Sequence, residues 1–251
     1  LHQRLASAIA LARTQGKDYR EAALTIVLVN LLSQHAAPQA GTPTVAAPQR
    51  PIAEDVTTLT AKRSQLVDQV RGQIQRDEKV TISFVCTANT NRSPIASILL
   101  ADSLRRQGKT NAIVQSGGIS VVQLGNAGAP LLPEFQQLLR QQRVDERLLD
   151  TFRSQPVTPD LIRRSDLVVV ADEIHREVIA QQIPEASGKL VLFNELDPAL
   201  ARFGPNFPDP QSDTISRSDM VMLVREKVVA SLLSFPQPFA GQPSSGTRGS
   251  S

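Results

Sequence analysis

The sequence is poor in the residue types that metal, redox and stacking sites need: it has one cysteine, one tyrosine and no tryptophan in 251 residues. A single cysteine excludes a disulfide framework and any zinc or iron–sulfur site built from several thiolates. The three histidines are too far apart to suggest a metal site, so we expect no metal and no cofactor. The shortage of aromatic side chains argues against an aromatic-rich surface for nucleic acid or sugar.

Long apolar runs and a concentration of one charge are also lacking. No run reaches the roughly 18 apolar residues of a spanning helix, so no membrane span is expected. The net charge is only +3 and the basic residues are scattered, which predicts no nucleic-acid partner. The chain does not begin with a basic-then-apolar signal peptide, and together with the free thiol this favours a cytoplasmic location.

Composition divides the chain into five parts. Residues 1–35 have the apolar spacing of a helical extension, and the Pro/Ala-rich residues 36–55 are typical of a semi-rigid linker. Residues 56–78 are predicted to form one amphipathic helix, and residues 79–235 are predicted to form the main domain. Residues 236–251 are rich in Pro, Gly and Ser, which predicts a disordered tail. The N-terminal helices could form a homodimer, dock a substrate protein or be the remnant of a larger fusion, and the sequence leaves these alternatives open.

Short β-branched runs alternate with helical patterns across the main domain. The strand candidates are residues 80–85, 112–115, 166–171 and 189–193, and a long helix is predicted over residues 216–233. This alternation predicts an α/β fold in three layers, with a small parallel sheet between helices. The ligand of such a sheet is expected at the carboxyl ends of the strands.

The first predicted strand runs into the segment Cys86-Thr-Ala-Asn-Thr-Asn-Arg92-Ser93-Pro94, which has the properties of an oxyanion site. A loop between a strand and a helix points its backbone N–H groups inward, and the following helix adds the positive end of its dipole. The planar guanidinium of Arg92 can bind two phosphate oxygens. The same groups would stabilise the thiolate of Cys86, which makes this residue a candidate nucleophile for phosphorus.

Transfer of a phosphoryl group also needs an acid that protonates the leaving group. Asp209, in the irregular segment Phe-Pro-Asp209-Pro210 before the last helix, is the best candidate, and Asp213 is its main competitor. His175, on the helix after Asp172, is expected to face solvent.

Residues 80–235 resemble the low-molecular-weight protein tyrosine phosphatases. The resemblance depends on four features in the family's order and spacing: FVC-x5-RSP ending at Pro94, the Ser-Gly-Gly at 116–118, the segment Arg153–Asp172, and the Asp-Pro at 209–210. It implies a four-stranded parallel sheet and a metal-free reaction in two steps. The expected partner is a phosphorylated protein substrate, with phosphate or another oxyanion bound in the loop.

The resemblance also implies a role for each site residue. Cys86 would attack phosphorus, and Asp209 would protonate the leaving group and then activate water. Ser93 would support the thiolate, and Ser116 would support the loop. Phosphate would be bound by the loop residues Thr87, Ala88, Asn89, Thr90, Asn91 and Arg92, among which Asn89 would hold the loop's shape.

Four positions depart from the family's usual pattern. Ala88 stands where glycine is usual and would be strained if its φ were positive. Asn91 replaces a second cysteine that many members have, and Gln211 replaces an aromatic residue after Asp-Pro. Thr90 resembles the threonine of protein-arginine phosphatases, which is a hint towards phosphoarginine in place of phosphotyrosine. The main alternative is a catalytically weak module that binds phosphorylated partners; arsenate reduction is disfavoured because Cys86 is the only thiol.

Overall fold

A computed structural model describes residues 56–212 and 214–234. The predicted helical extension at 1–35, the linker at 36–55 and the tail at 236–251 lie outside the described residues, as does Asp213, the competitor for the acid role.

The described chain alternates strands and helices in the predicted order. The strands are β1 (Val80–Cys86), β2 (Ala112–Gly118), β3 (Leu167–Val170) and β4 (Leu190–Leu192). The first helices are α1 (Val56–Gln75), α2 (Arg92–Arg106), α3 (Pro133–Gln141), α4 (Glu146–Thr151), α5 (Pro159–Arg164) and α6 (Glu173–Gln182). The last helix continues from α7 (Arg217–Leu223) through a π-helical segment (Val224–Val229) into α8 (Ala230–Leu233). Short 3₁₀ turns occupy Pro184–Lys189, Phe193–Glu195, Pro198–Phe203 and Pro210–Ser212.

The four strands form one parallel sheet in the order β2-β1-β3-β4, which confirms the predicted fold class. Strand β2 is longer than predicted and ends at Gly118, level with Cys86 on β1. Helix α4 was not predicted; it has only six residues and begins after Asp145, whose carboxylate accepts a hydrogen bond from the Arg147 N–H. None of the helices in the described part of the chain is long and apolar enough to cross a membrane.

Alternating side chains of the strands build two apolar layers. Ile82 and Phe84 of β1 point towards α1, α2 and the last helix, whereas Val85 and the β3 residues Val168 and Val170 point towards α5 and α6. Helices therefore cover both faces, and the polar ends of the strands are left at the edges of the sheet.

Helix α1 is part of this core. Its apolar residues Val67, Val70 and Ile74 are buried with the β1 and α2 side chains. Arg71 Nε donates to the carbonyl oxygen of Ser231 at 2.6 Å, and Gln75 Nε2 donates to that of Leu233 at 2.8 Å. The helix is thereby fixed to the last helix of the described chain.

Gly118 allows the closest approach between β2 and the loop after β1. A Cβ at this position would lie 2.7 Å from the carbonyl oxygen of Thr87 and 2.8 Å from the backbone nitrogen of Asn89. Such contacts require the backbone to move, so we expect Gly118→Ala to lower the free energy of unfolding by about 1–3 kcal/mol in urea titrations.

Gly188 provides the matched control, since a Cβ there would meet nothing within 4 Å. Gly188→Ala is expected to unfold at the wild-type urea concentration or slightly above it. Equal stability of the two alanine variants would contradict the close approach at Gly118.

Candidate active site

The predicted site residues converge at the carboxyl edge of the sheet. Cys86 ends β1, Ser116 lies near the end of β2, Asp172 follows β3, and Asp209 arrives from the segment before the last helix. The structure thus brings together residues up to 123 positions apart in the chain (86 to 209). All four side chains are buried.

The backbone of the loop after β1 offers a row of hydrogen-bond donors. Residues 87–91 are all buried, between 0% and 7% exposed. None of their five backbone N–H groups donates a hydrogen bond to an acceptor within the described residues. Buried amides are paired in the great majority of cases, and a run of five N–H groups without an acceptor is the donor arrangement that anion-binding loops use.

Asn89 fixes the shape of this loop. Its φ of 52° is in the left-handed region, which asparagine tolerates better than most residues. Its Nδ2 donates to Ser93 Oγ and to Ser116 Oγ, each at 2.9 Å, and its Oδ1 accepts the backbone N–H of Gln155 at 3.0 Å. Among the described residues Ala88 is not one with positive φ, so the strain considered for an alanine at this position does not arise.

The sulfur of Cys86 lies beside a hydroxyl group. Ser93 Oγ is 3.0 Å from Cys86 Sγ and 3.3 Å from the carbonyl oxygen of Gly117, while it accepts from Asn89. The single hydroxyl hydrogen of Ser93 can therefore be donated either to the sulfur or to Gly117. A hydroxyl directed at sulfur stabilises the thiolate over the thiol.

Arg92 is a buried cation held by two carboxylates. Its Nη1 donates to both oxygens of Asp172 at 2.7 and 2.8 Å, and its Nη2 lies 3.0 Å from Asp209 Oδ2. Burial lowers the pKa of Arg92, but Asp172, Asp209 and Cys86 more than compensate, so that the pKa lies above its ordinary value. The Nε atom is buried and has no hydrogen-bond partner in the described part of the protein.

Asp172 was missed as a site residue by the sequence analysis, although a signal was present. It follows the strand β3, which pairs directly with β1 in parallel, and the carboxyl ends of neighbouring parallel strands meet at one edge. A carboxylate two residues after β3 is therefore placed next to the loop that follows β1.

Asp209 is held by three groups on two sides. Its Oδ1 accepts from Asn91 Nδ2 at 2.9 Å and from the backbone N–H of Gln211 at 3.0 Å, and its Oδ2 faces Arg92. Its side chain is fully buried in the structure.

His175 does not face solvent, and that expectation was wrong. The ring is fully buried; its Nδ1 accepts the backbone N–H of Asp172, and its Nε2 lies 3.0 Å from Thr87 Oγ1. Because Nδ1 is an acceptor, the hydrogen of the neutral ring is on Nε2 and is donated to Thr87. The ring turns inward because it completes a capping box at the start of α6, a side-chain arrangement that helix periodicity does not reveal.

Two substitutions at Asn89 separate its backbone from its side chain. Asn89→Gly removes the hydrogen bonds but accepts the left-handed backbone, whereas Asn89→Ala loses both. We expect both variants to have a lower free energy of unfolding than the wild type in urea titrations. The value for Asn89→Ala should be about 1 kcal/mol below that for Asn89→Gly.

Arg143 serves as the control, because it is exposed and also has a positive φ of 58°. At Arg143 the same difference between alanine and glycine is expected, but without the loss that both Asn89 variants share. Wild-type stability of Asn89→Gly would show that the side-chain hydrogen bonds contribute nothing.

Comparisons with known proteins agree with this geometry. The sequence model of the family described as "Low molecular weight phosphotyrosine protein phosphatase" matches residues 81–235. A probable low molecular weight protein-tyrosine-phosphatase, EpsP of Ralstonia nicotianae, is 29% identical over 117 residues, which cover 47% of this chain and 72% of that protein. The protein-arginine-phosphatase of Bacillus subtilis is 31% identical over 114 residues, which cover 45% and 70%.

Solved structures of low molecular weight phosphatases superimpose on this chain. Wzb of Vibrio vulnificus in complex with benzylphosphonate is 27% identical and superimposes with a TM-score of 0.50, over 61% of this chain and 97% of that one. The low molecular weight protein tyrosine phosphatase from T. tengcongensis shares the fold at 20% identity, with a TM-score of 0.51 over 62% and 98%.

Proposed function

Because the chain belongs to the low molecular weight phosphotyrosine protein phosphatase family and is a cysteine-dependent protein phosphatase, we propose that it hydrolyses a phosphorylated protein side chain through a phosphocysteine intermediate. The row of unpartnered amides at 87–91, with the sulfur of Cys86 at its start, is the observation that carries the proposal. These amides and the Nε of Arg92 are the donors that a tetrahedral phosphoryl group needs.

In the first step the thiolate of Cys86 attacks phosphorus. An S–P bond forms while the bond from phosphorus to the leaving oxygen, or to nitrogen in phosphoarginine, breaks. The leaving atom takes a proton from Asp209, because an alkoxide, phenolate or guanidine anion leaves poorly. The amides of the loop and Arg92 bind the equatorial oxygens, on which charge is concentrated in the transition state.

In the second step water replaces the sulfur. The carboxylate of Asp209 takes a proton from the water molecule, the water oxygen bonds to phosphorus, and the S–P bond breaks. The electron pair of that bond returns to Cys86 as a thiolate, which the hydroxyl of Ser93 stabilises. Phosphate is released and both groups have recovered their starting state.

The two carboxylates around Arg92 explain why the acid arrives with its proton. With Asp172, Asp209 and the thiolate of Cys86 all ionised, the buried cluster carries two negative charges more than Arg92 compensates. A phosphoryl dianion that binds Arg92 competes with Asp209 Oδ2 for the guanidinium, and like charges in one buried site favour protonation of one of them. Substrate binding thereby favours the protonated form of Asp209 that the first step uses.

The surroundings of the loop favour phosphoarginine over phosphotyrosine as the substrate. The backbone N–H of Ser120 donates to the carbonyl oxygen of Thr87, so the turn that also carries Val122, 65% exposed, contacts the loop through Ser120. Neither Val122 nor Gln211 offers a ring on which a phenol could stack. The hydroxyl of Thr90 in the loop can accept from guanidinium N–H groups.

A cytoplasmic location, the domain boundaries at 79 and 235 and a homodimer formed by the N-terminal helices stay predictions.

Hydrolysis of an aryl phosphate tests the mechanism. We expect wild-type turnover to be inhibited by vanadate, Cys86→Ser to be inactive, and Asp209→Asn to lose about 10²–10⁴-fold in kcat/KM on a substrate with a basic leaving group. Asp160→Asn, an exposed carboxylate on α5, should retain wild-type rates. Robust turnover by Cys86→Ser would contradict the proposal.

The alternative of a weak phosphate-binding module makes a different prediction for the same protein. Such a module would bind inorganic phosphate normally, yet it would show no burst of leaving group in rapid mixing and no phosphorylated Cys86 in acid-quenched mass spectra. We expect the burst, because Asp209 lies against Arg92 and Cys86 against Ser93, so that both side chains are held at the same loop.

Peptides test the substrate. We expect a higher kcat/KM on phosphoarginine than on phosphotyrosine peptides, and we expect Thr90→Val to reduce the first value more than the second because only the guanidinium can donate to the lost hydroxyl. Thr110→Val, an exposed threonine away from the loop, is the matched control. A shortened chain for these assays should begin at residue 56, since α1 belongs to the core. An equal loss on both peptides would contradict the role of Thr90.

A further inference from the structure

The side chain of Asn91 makes two contacts that the mechanism above does not use. It is buried, 3% exposed, between the start of α2 and the segment that carries Asp209. Its Oδ1 accepts the backbone N–H of Arg92 at 2.6 Å, and its Nδ2 donates to Asp209 Oδ1 at 2.9 Å.

The first contact fixes the orientation of the second. The N–H of Arg92 can only donate, so the oxygen of the Asn91 amide must face it and the NH₂ group must face Asp209. The reversed amide would place two donors together at Arg92 and two oxygens together at Asp209. The Asn91 side chain is therefore an obligatory donor to the carboxylate.

This donor makes the two oxygens of Asp209 different. Oδ1 already accepts from Asn91 Nδ2 and from the backbone N–H of Gln211, so a proton on Oδ1 would be directed at two donors. Oδ2 lies 3.0 Å from Arg92 Nη2, a donor that turns to the phosphoryl oxygens in the function proposed above. A proton on the carboxyl group therefore belongs on Oδ2, where it can be passed to the leaving atom.

We propose that Asn91 is a positioning residue that holds Oδ1 of Asp209, turns Oδ2 towards the guanidinium of Arg92 and thereby sets which oxygen passes its proton to the leaving group. The proposal rests on the function proposed above. It also ties the acid to the phosphate loop across 118 residues of sequence, since the residue that orients Asp209 caps the helix beginning at Arg92.

Helix capping alone does not require asparagine at this position. Serine, threonine and aspartate also accept the first N–H groups of a helix. Only asparagine at this size combines such an acceptor with a donor that reaches Asp209. Asn91→Ser keeps a capping oxygen and is too short to reach the carboxylate, and Asn91→Asp keeps the shape and the cap but has no donor.

The test measures kcat/KM on a series of aryl phosphates whose leaving groups differ in basicity. Because a charge-assisted hydrogen bond is lost, we expect the kcat/KM of Asn91→Ser to fall about 10- to 100-fold on the most basic leaving group. On the least basic one, which needs little protonation, it should lose about threefold or less. The alkaline limb of the pH profile should move to higher pH, since one donor to the ionised carboxylate is lost.

Asn91→Asp and Asp209→Asn complete the experiment. Asn91→Asp weakens the binding of all phosphates by repulsion. The dependence of its kcat/KM on leaving-group basicity should nevertheless be as steep as that of Asn91→Ser. In the double variant Asn91→Ser/Asp209→Asn, the serine should add little to the loss caused by Asp209→Asn, because both changes act on one proton. The vanadate inhibition constant of Asn91→Ser reports whether the loop is intact and should stay within about threefold of wild type.

The outcomes distinguish this inference from the function on which it rests. An equal loss on all leaving groups, or additive losses in the double variant, would overturn the role of Asn91 while the phosphatase activity stands. Absence of turnover by the wild type on every aryl phosphate would overturn the proposed mechanism and the role of Asn91 with it.

Discussion

Arg92 carries its charge into the interior of the domain, where only 1% of its side chain is exposed and the carboxylates of Asp172 and Asp209 surround it. An unpaired buried cation would be strongly destabilising, so these carboxylates are required by the fold as well as by the chemistry. The arrangement also provides two kinds of partner. Asp172 holds Nη1 with both oxygens, whereas Asp209 holds Nη2 with one oxygen and is the partner that a phosphoryl group can replace.

The rest of the site is built around the backbone of the phosphate loop. Asn89 adopts the left-handed backbone conformation that most residues disfavour, and Gly118 lets β2 approach the loop closely. His175 reaches the loop from the start of α6 and donates to Thr87. The hydrogen bonds of Asn89 and His175 and the close approach at Gly118 thus fix the backbone of residues 87–91, whose N–H groups have no acceptor among the described residues.

The sequence allowed the fold class and the central pair of Cys86 and Arg92 to be predicted, because a strand, a loop and a helix start in one short segment carry local signals. Asp209 was already the best candidate for the acid from its place before the last helix, and the family resemblance strengthened that assignment, since an Asp-Pro in a loop is usually a turn. Asp172 and His175 escaped because their contacts join residues 80 or more positions apart and depend on which way a side chain turns at a helix start. Asn91 was predicted as a loop residue and noted for the cysteine it replaces, but its contact with Asp209 was not predicted because it depends on the path of a proline-rich loop.

Helix α1 runs back along the sheet, since it ends at Gln75, just before β1 begins at the amino edge. At 1.5 Å per residue its 20 residues span about 30 Å, more than the length of β1. Its first half passes along the β4 edge of the sheet, where Arg63 lies 3.9 Å from Glu195 after β4 and donates to the carbonyl oxygen of Ser187 before β4 at 3.5 Å. Helix α1 thereby contacts the segments on both sides of the edge strand β4, so a truncation within its first half would remove support from the strand that has no neighbour on its outer side.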